Sequence, residues 1–172
     1  MIVCAGEIEQ FGFATPIGIG MIDASINLTK ICIAQKPEFI FFVGTAGSYG
    51  EKKIFDIVES NTASNIENSF FTGGSYTPID NLVSSAKDSS TDIIVNSSNY
   101  ITTNKDLGKL YLSKNIQIEN MEYYAVTKVA QSFGIPVAGA FIVTNYCDSN
   151  AHRDFKKNHK EAMRRLSAYI QE

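Results

Sequence analysis

Two stretches, "EFIFFVG" at residues 38–44 and "IPVAGAFIVTN" at 135–145, are almost wholly apolar. A strand with one wet face alternates apolar and polar residues. A continuous apolar run suits a strand covered on both faces. Helical patterns precede both runs. "GIGMIDASINLTKICIAQ" carries Ile19, Ile22, Ile26 and Ile33 at roughly helical spacing and ends at Lys36-Pro37, where proline disfavours helical geometry in the residue before it. "MEYYAVTKVAQSFG" aligns Val126, Val129, Ala130 and Phe133 on one face and stops at Gly134, as a helix C-terminus should. Doubly buried strands alternating with helices predict an α/β fold: a three-layer αβα sandwich with a mixed, largely parallel sheet.

The remaining segments fit that frame. "MIVCA", "IFDIVES" and "TDIIVNSS" read as further strands. "IDNLVSSAK" and "NKDLGKLYLSK" read as short helices, and residues 150–172 as a polar-faced terminal helix. "SNTASNIENSFFTGGSYTP" reads as a long loop, whose Phe70, Phe71 and Tyr76 serve a subunit contact, a pocket lid or their own core. Neither repeat nor linker divides the chain, so residues 1–172 are expected to form one domain.

Composition narrows the function classes. The chain has 172 residues, 44% hydrophobic and 19% charged, with net charge −3. An acidic balance argues against a nucleic-acid partner. No apolar run approaches the roughly 20 residues that span a bilayer, and the N-terminus lacks the pattern of a signal peptide. The expectation is a cytoplasmic protein with no membrane partner. Cys4, Cys32 and Cys147 are an odd number in apolar surroundings, so buried free thiols are expected. No cysteine or histidine cluster suggests a metal. His152 and His159 lie among lysines and arginines and read as part of a solvated basic face.

Parallel sheets build their sites at the carboxyl ends of strands. Three polar groups fall there: Gly44-Thr45 with Gly47-Ser48, Asn96 to Tyr100, and Thr144-Asn145. Glu122 opens a helix, where the dipole alone favours an acid. It also has two acceptor oxygens that suit adjacent hydroxyls. Asn145 ends an apolar strand, as a turn cap or as an amide that both donates and accepts along a heterocycle's edge. "GTAGS" and "PIGIGM" are Gly-rich turns whose N–H groups can approach an anion. Glu7 and Glu9 follow the first strand, as solvated acids or as holders of a water nucleophile.

In this order, "IVCAGEIE", "GIG" opening a helix, "FVGTAGS", "NMEYYAV" and "IVTNYCD" resemble the landmarks of the nucleoside phosphorylase and nucleosidase family. The resemblance is strongest over residues 118–148. It implies cleavage of an N-glycosidic bond, no cofactor, and a homo-oligomer, whether dimer, trimer or hexamer. It implies that Glu122 holds the ribose hydroxyls, Met121 packs on the sugar, Asn120 joins them in binding, and Tyr100 stacks near the base. Thr45 and Gly47 would line the sugar or anion site, with Gly18, Gly20 and Ser48 at the anion, and Glu7 would match the acid that activates water in the nucleosidases.

Three departures shape the expectation. The chain is shorter than usual members, mostly between its first strand and "PIGIG". Position 145 is Asn where relatives acting on adenine nucleosides have Asp. An amide cannot act as a general acid, but suits a 6-oxopurine, as in the trimeric 6-oxopurine phosphorylases; uridine phosphorylases also carry Asn near this position. The first arginine is Arg153, although arginine's planar fork is the usual holder of phosphate. The leading expectation is a 6-oxopurine nucleoside phosphorylase with Asn145 catalytic and phosphate as co-substrate. A Glu7-dependent hydrolase is the alternative, and an inactive nucleoside-binding relative the third reading.

Overall fold

The computed structural model describes residues 1–85 and 92–171. In chain order the elements are β1 (Ile2–Cys4), β2 (Thr15–Pro16), α1 (Gly20–Gln35), β3 (Ile40–Ser48), β4 (Ile57–Ser60), β5 (Thr62–Ser64) and α2 (Ser69–Thr72). There follow β6 (Leu82–Ser84), β7 (Ile94–Asn96), α3 (Lys105–Leu112), β8 (Ile118–Glu119), α4 (Tyr123–Phe133), β9 (Val137–Tyr146) and α5 (Ala151–Gln171).

The two apolar runs are the central strands, and they pair with each other. β3 and β9 run parallel from Ile40↔Val137 to Ser48↔Tyr146, with one register shift between Ala46 and Gly47. Both faces are covered, as continuous apolar runs require. Phe42 and Phe141 face the core under α1 and α4. Their neighbours Val43 and Ile142 face Ala162 and Leu166 of α5. The sheet is mixed: β1 pairs parallel with β2 and β3, and β7 parallel with β5 and β8. β8 lies antiparallel on β3, β4 on β9, and β6 on β5. The predicted α/β architecture is therefore present, with helices on both faces of the sheet.

Several local expectations change. The isoleucines of α1 do not form its buried face: Ile22 is 67% and Ile33 63% exposed. The buried row is Gly20, Ala24, Leu28 and Cys32. Mostly small residues at a spacing of four let α1 lie close against α4, a contact that isoleucines would hold apart. In α4, Val126, Val129 and Ala130 are buried as expected, but Phe133 is 41% exposed. "IDNLVSSAK" contains strand β6 instead of a helix, paired with β5 in the segment read as loop; its last two residues lie outside those described. Phe71 of that segment turns back onto Tyr111, 4.8 Å away in an edge arrangement, while Tyr76 stands in solvent.

All three cysteines are free and buried. Among the described residues no helix is long and apolar enough to cross a membrane, and no group of acidic, cysteine and histidine side chains is placed to hold a metal ion.

Candidate active site

A cavity of about 290 Å³ opens at the carboxyl ends of β1, β3, β8 and β9. Its wall includes Glu9, Thr45, Gly47, Tyr100, Glu119, Asn120, Met121, Glu122 and Asn145. Most of the predicted residues thus converge from four separate parts of the chain.

Glu122 is the anchor. Its side chain is only 3% exposed, and Oε1 accepts the backbone N–H of Gly20 at 2.8 Å. Gly20 has φ +79°, and a Cβ there would meet Asn99 Oδ1 at 3.0 Å. So the N–H group at the Gly-rich turn opening α1 is already bonded to the protein's own Glu122 carboxyl group. Burial pushes the Glu122 carboxyl up to about 7, the Gly20 N–H pulls it down, and the nearby Glu9 carboxylate raises it again.

Asn120 fixes this geometry. Its Oδ1 accepts from the N–H groups of Glu122 and Tyr123, capping α4, while Nδ2 donates to Thr45 O at 3.0 Å. One side chain ties the start of α4 to strand β3. Asn120 lines the cavity, but three backbone groups already occupy its amide, so it positions its neighbours.

The turn after the first strand delivers Glu9, not the expected Glu7, to the cavity. The chain reverses after β1, with Glu9 N–H donating to Gly6 O at 2.9 Å. Gly6 and Glu7 both have positive φ, +98° and +53°. That turn sends Glu7 into solvent and brings Glu9 into the cavity. Glu9 Oε2 accepts from Thr45 N–H at 3.0 Å, and Oε1 from Thr45 Oγ1. Thr45 is therefore the support of a carboxylate.

At the other end, Asn145 is 6% exposed. Its Oδ1 accepts from Thr144 Oγ1, and Nδ2 donates to Tyr146 O. Each interaction uses part of an amide that has two N–H bonds and two lone pairs. Beyond it, Asp148 lies outside the cavity wall, accepting from Asn150 N–H ahead of α5.

The predicted anion donors do not assemble. Gly18 N–H is bonded to Ala5 O, Gly20 N–H to Glu122, and Ser48 Oγ accepts from Gly50 N–H. None of the three lines the cavity, and among the described residues no lysine or arginine does either. Met121 lines the wall, and Tyr100, 80% exposed, stands at the rim with Ile8, Ile19 and Ile101.

Two groups escaped sequence reasoning. His152, read as a solvated surface residue, reaches the mouth of the cavity beside Phe155. Glu119 lines the floor, where burial raises its carboxyl. A carboxyl group at the end of the short alternating stretch "IQIE", just before the Met121-Glu122 helix start, was the available signal for it.

Comparisons with known proteins agree with this picture. Residues 89–172 match the family model described as the phosphorylase superfamily. A search of curated proteins finds no match. Among solved structures, a mutant of Helicobacter pylori MTAN with 5′-methylthioadenosine in its active site aligns at TM-score 0.81 and 16% identity. That alignment spans 99% of this chain and 95% of the other. Native futalosine hydrolase of H. pylori gives 0.80 and 15%, over 99% and 94%. The Streptococcus pneumoniae MTA/SAH nucleosidase with 8-aminoadenine gives 0.77 and 14%, over 98% and 95%. At these identities the likeness establishes a shared fold.

Proposed function

We propose, from the match of residues 89–172 to the phosphorylase superfamily model, that this chain hydrolyses the N-glycosidic bond of a purine nucleoside, with a 6-oxopurine base preferred. The observation that carries the reading is the charge of the cavity. Three carboxyl groups, Glu9, Glu119 and Glu122, line it, with no lysine or arginine beside them among the described residues. A phosphate dianion needs compensating donors, and carboxylates repel it. Water carries no such cost. Phosphorolysis, favoured by the sequence alone, is for this reason the second reading.

Each residue has a place in the reaction. Glu122 accepts hydrogen bonds from the ribose hydroxyls, with Met121 packed against the sugar and Tyr100 against the base. Glu9, held by both donors of Thr45, takes a proton from water as its oxygen bonds to C1′. The C1′–N bond breaks through an oxocarbenium-like sugar, its electron pair goes to the base, and the base takes up a proton. Asn145, through its remaining N–H, steadies the charge growing on the departing ring. The net change is nucleoside plus water to ribose plus free base.

Product analysis tests the reading. With inosine and excess phosphate, the sugar product is expected to be free ribose. Ribose 1-phosphate as the product would return phosphorolysis to first place. Binding of inosine without any turnover would leave a non-catalytic nucleoside-binding protein.

A further inference from the structure

Neither of the two helices that frame Glu122 caps itself. α1 starts after Ile19 and α4 after Glu122, and neither of these flanking side chains accepts a hydrogen bond from its helix. The first N–H groups of a helix find no partner within it, so other parts of the chain supply the acceptors. At α4, Asn120 Oδ1 serves Glu122 and Tyr123, and Ser97 Oγ serves Tyr124 at 2.9 Å. At α1, Glu122 Oε1 serves Gly20 at 2.8 Å, and Asn99 Oδ1 serves Met21 at 3.1 Å. Ser97 and Asn99 belong to one segment between β7 and α3. Further along it, Thr102 N–H donates to Glu119 Oε1 at 2.9 Å. The segment over residues 97–102 thus straps α1, α4 and β8 together, and it carries Tyr100 and Ile101 at the cavity rim.

Asn99 stands directly against the glycine that binds Glu122. A Cβ built on Gly20 would lie 3.0 Å from Asn99 Oδ1 and 4.0 Å from Asn99 Cγ. The amide therefore fills the side-chain space of Gly20 while it accepts from the next N–H of the helix. We propose that Asn99 is a positioning residue for Glu122: it tethers the first turn of α1 so that the Gly20 N–H stays aimed at the carboxyl group. Asn99 itself is not on the cavity wall and acts through Gly20. The bond to Met21 is exposed, so water can satisfy that N–H when Asn99 is removed. What is lost is the tether, and helix ends fray without one. Burial raises the Glu122 carboxyl, the Gly20 N–H lowers it, and the Glu9 carboxylate raises it again. Glu119, Tyr100 and His152 are the other titratable groups on the same wall. A loosened turn weakens the lowering contact from α1 and so raises the carboxyl further. The consequence for turnover rests on the nucleoside reading above, in which an ionised Glu122 holds the ribose; the positioning itself does not.

The titration of Glu122 tests the proposal without any substrate. Carbon NMR of the Glu122 carboxyl is expected to give a midpoint of about 7 in the wild-type protein. In Asn99→Ala the midpoint should lie higher, by a factor of roughly 2 to 30 in proton affinity, the range set by a lost cap. Asn104→Ala is the control. Asn104 Oδ1 accepts from Asp106 N–H at 2.9 Å, an equivalent cap on α3, which does not line the cavity. It should lose comparable stability and leave the midpoint in place. A midpoint unmoved in Asn99→Ala, or moved equally in both variants, overturns the proposal. Kinetics with inosine separate it from the nucleoside reading. Asn99→Ala is expected to lower kcat/KM roughly 2- to 30-fold at about pH 6 and to lose most of that deficit at about pH 9, where Glu122 is ionised in both proteins. An equal deficit at both pH values counts against action through Glu122. A shifted midpoint in a protein that cleaves no inosine upholds the role of Asn99 and overturns the nucleoside reading instead.

Discussion

Gly20 N–H meets Glu122 Oε1 at 2.8 Å, across 102 residues of sequence. The contact joins the start of α1 to the start of α4 and holds a carboxylate with 3% exposure at the cavity wall. Its carboxyl is raised to about 7, against an unfolded value near 4.3. Between these values the folded state binds more protons than the unfolded state, so stability falls as pH rises from about 4.5 through 7. The loss amounts to a few kcal/mol, on the order of 3. Urea unfolding at pH 5 and pH 8 is expected to show this fall, and Glu122→Gln to remove most of it.

Activity is expected to move the opposite way over the same range. An ionised Glu122 accepts from both ribose hydroxyls. The kcat/KM profile, which reports the free enzyme, should therefore rise through about pH 7. In Glu122→Gln, the rising limb at that position should disappear.

Glu7 and Glu9 are two positions apart, with Ile8 between them, and face different environments. Glu9 is held by Thr45 inside the cavity, while Glu7 is exposed. Glu9→Gln is expected to lower kcat by about 10²- to 10⁴-fold. Glu7→Gln should stay within a few-fold of the wild type. Steady-state kinetics of the two variants in parallel checks the assignment, and the reverse pattern would restore Glu7.

What the sequence could reveal here depended on whether a signal was local. β3 and β9 were legible because a continuous apolar run has few other uses. Glu122 and Asn145 were legible because each closes or opens such an element. Choosing Glu9 over Glu7 was not, since it turns on positive φ at Gly6 and Glu7. Nor was the fate of the "GIG" turn, whose N–H bonds a carboxylate 102 residues away. Glu119 becomes meaningful only when the sheet sets it beside Gly47 and opposite Asn145.

The inner face of α1 gives a prediction about folding. Leu28 is fully buried and Ile26 is 48% exposed. Leu28→Ala is expected to cost about 2–5 kcal/mol, and Ile26→Ala about 0.5 kcal/mol or less. Denaturant titration of the pair checks which row faces the core.

Gly47 is closely packed on its side-chain side. An alanine there would place Cβ 3.0 Å from Cys147 Sγ and 3.2 Å from both Asn145 Nδ2 and Glu119 Cγ. Gly47→Ala is expected to lose about 1–3 kcal/mol of stability through overpacking. It should also raise KM for inosine as it narrows the base site. Thermal unfolding and kinetics on the same preparation check both effects.

The most direct measurement is release of free base from inosine with and without phosphate. Hydrolysis predicts the same rate in both conditions, with ribose as the sugar product. Release that depends on phosphate, or no release at all, would contradict the central claim.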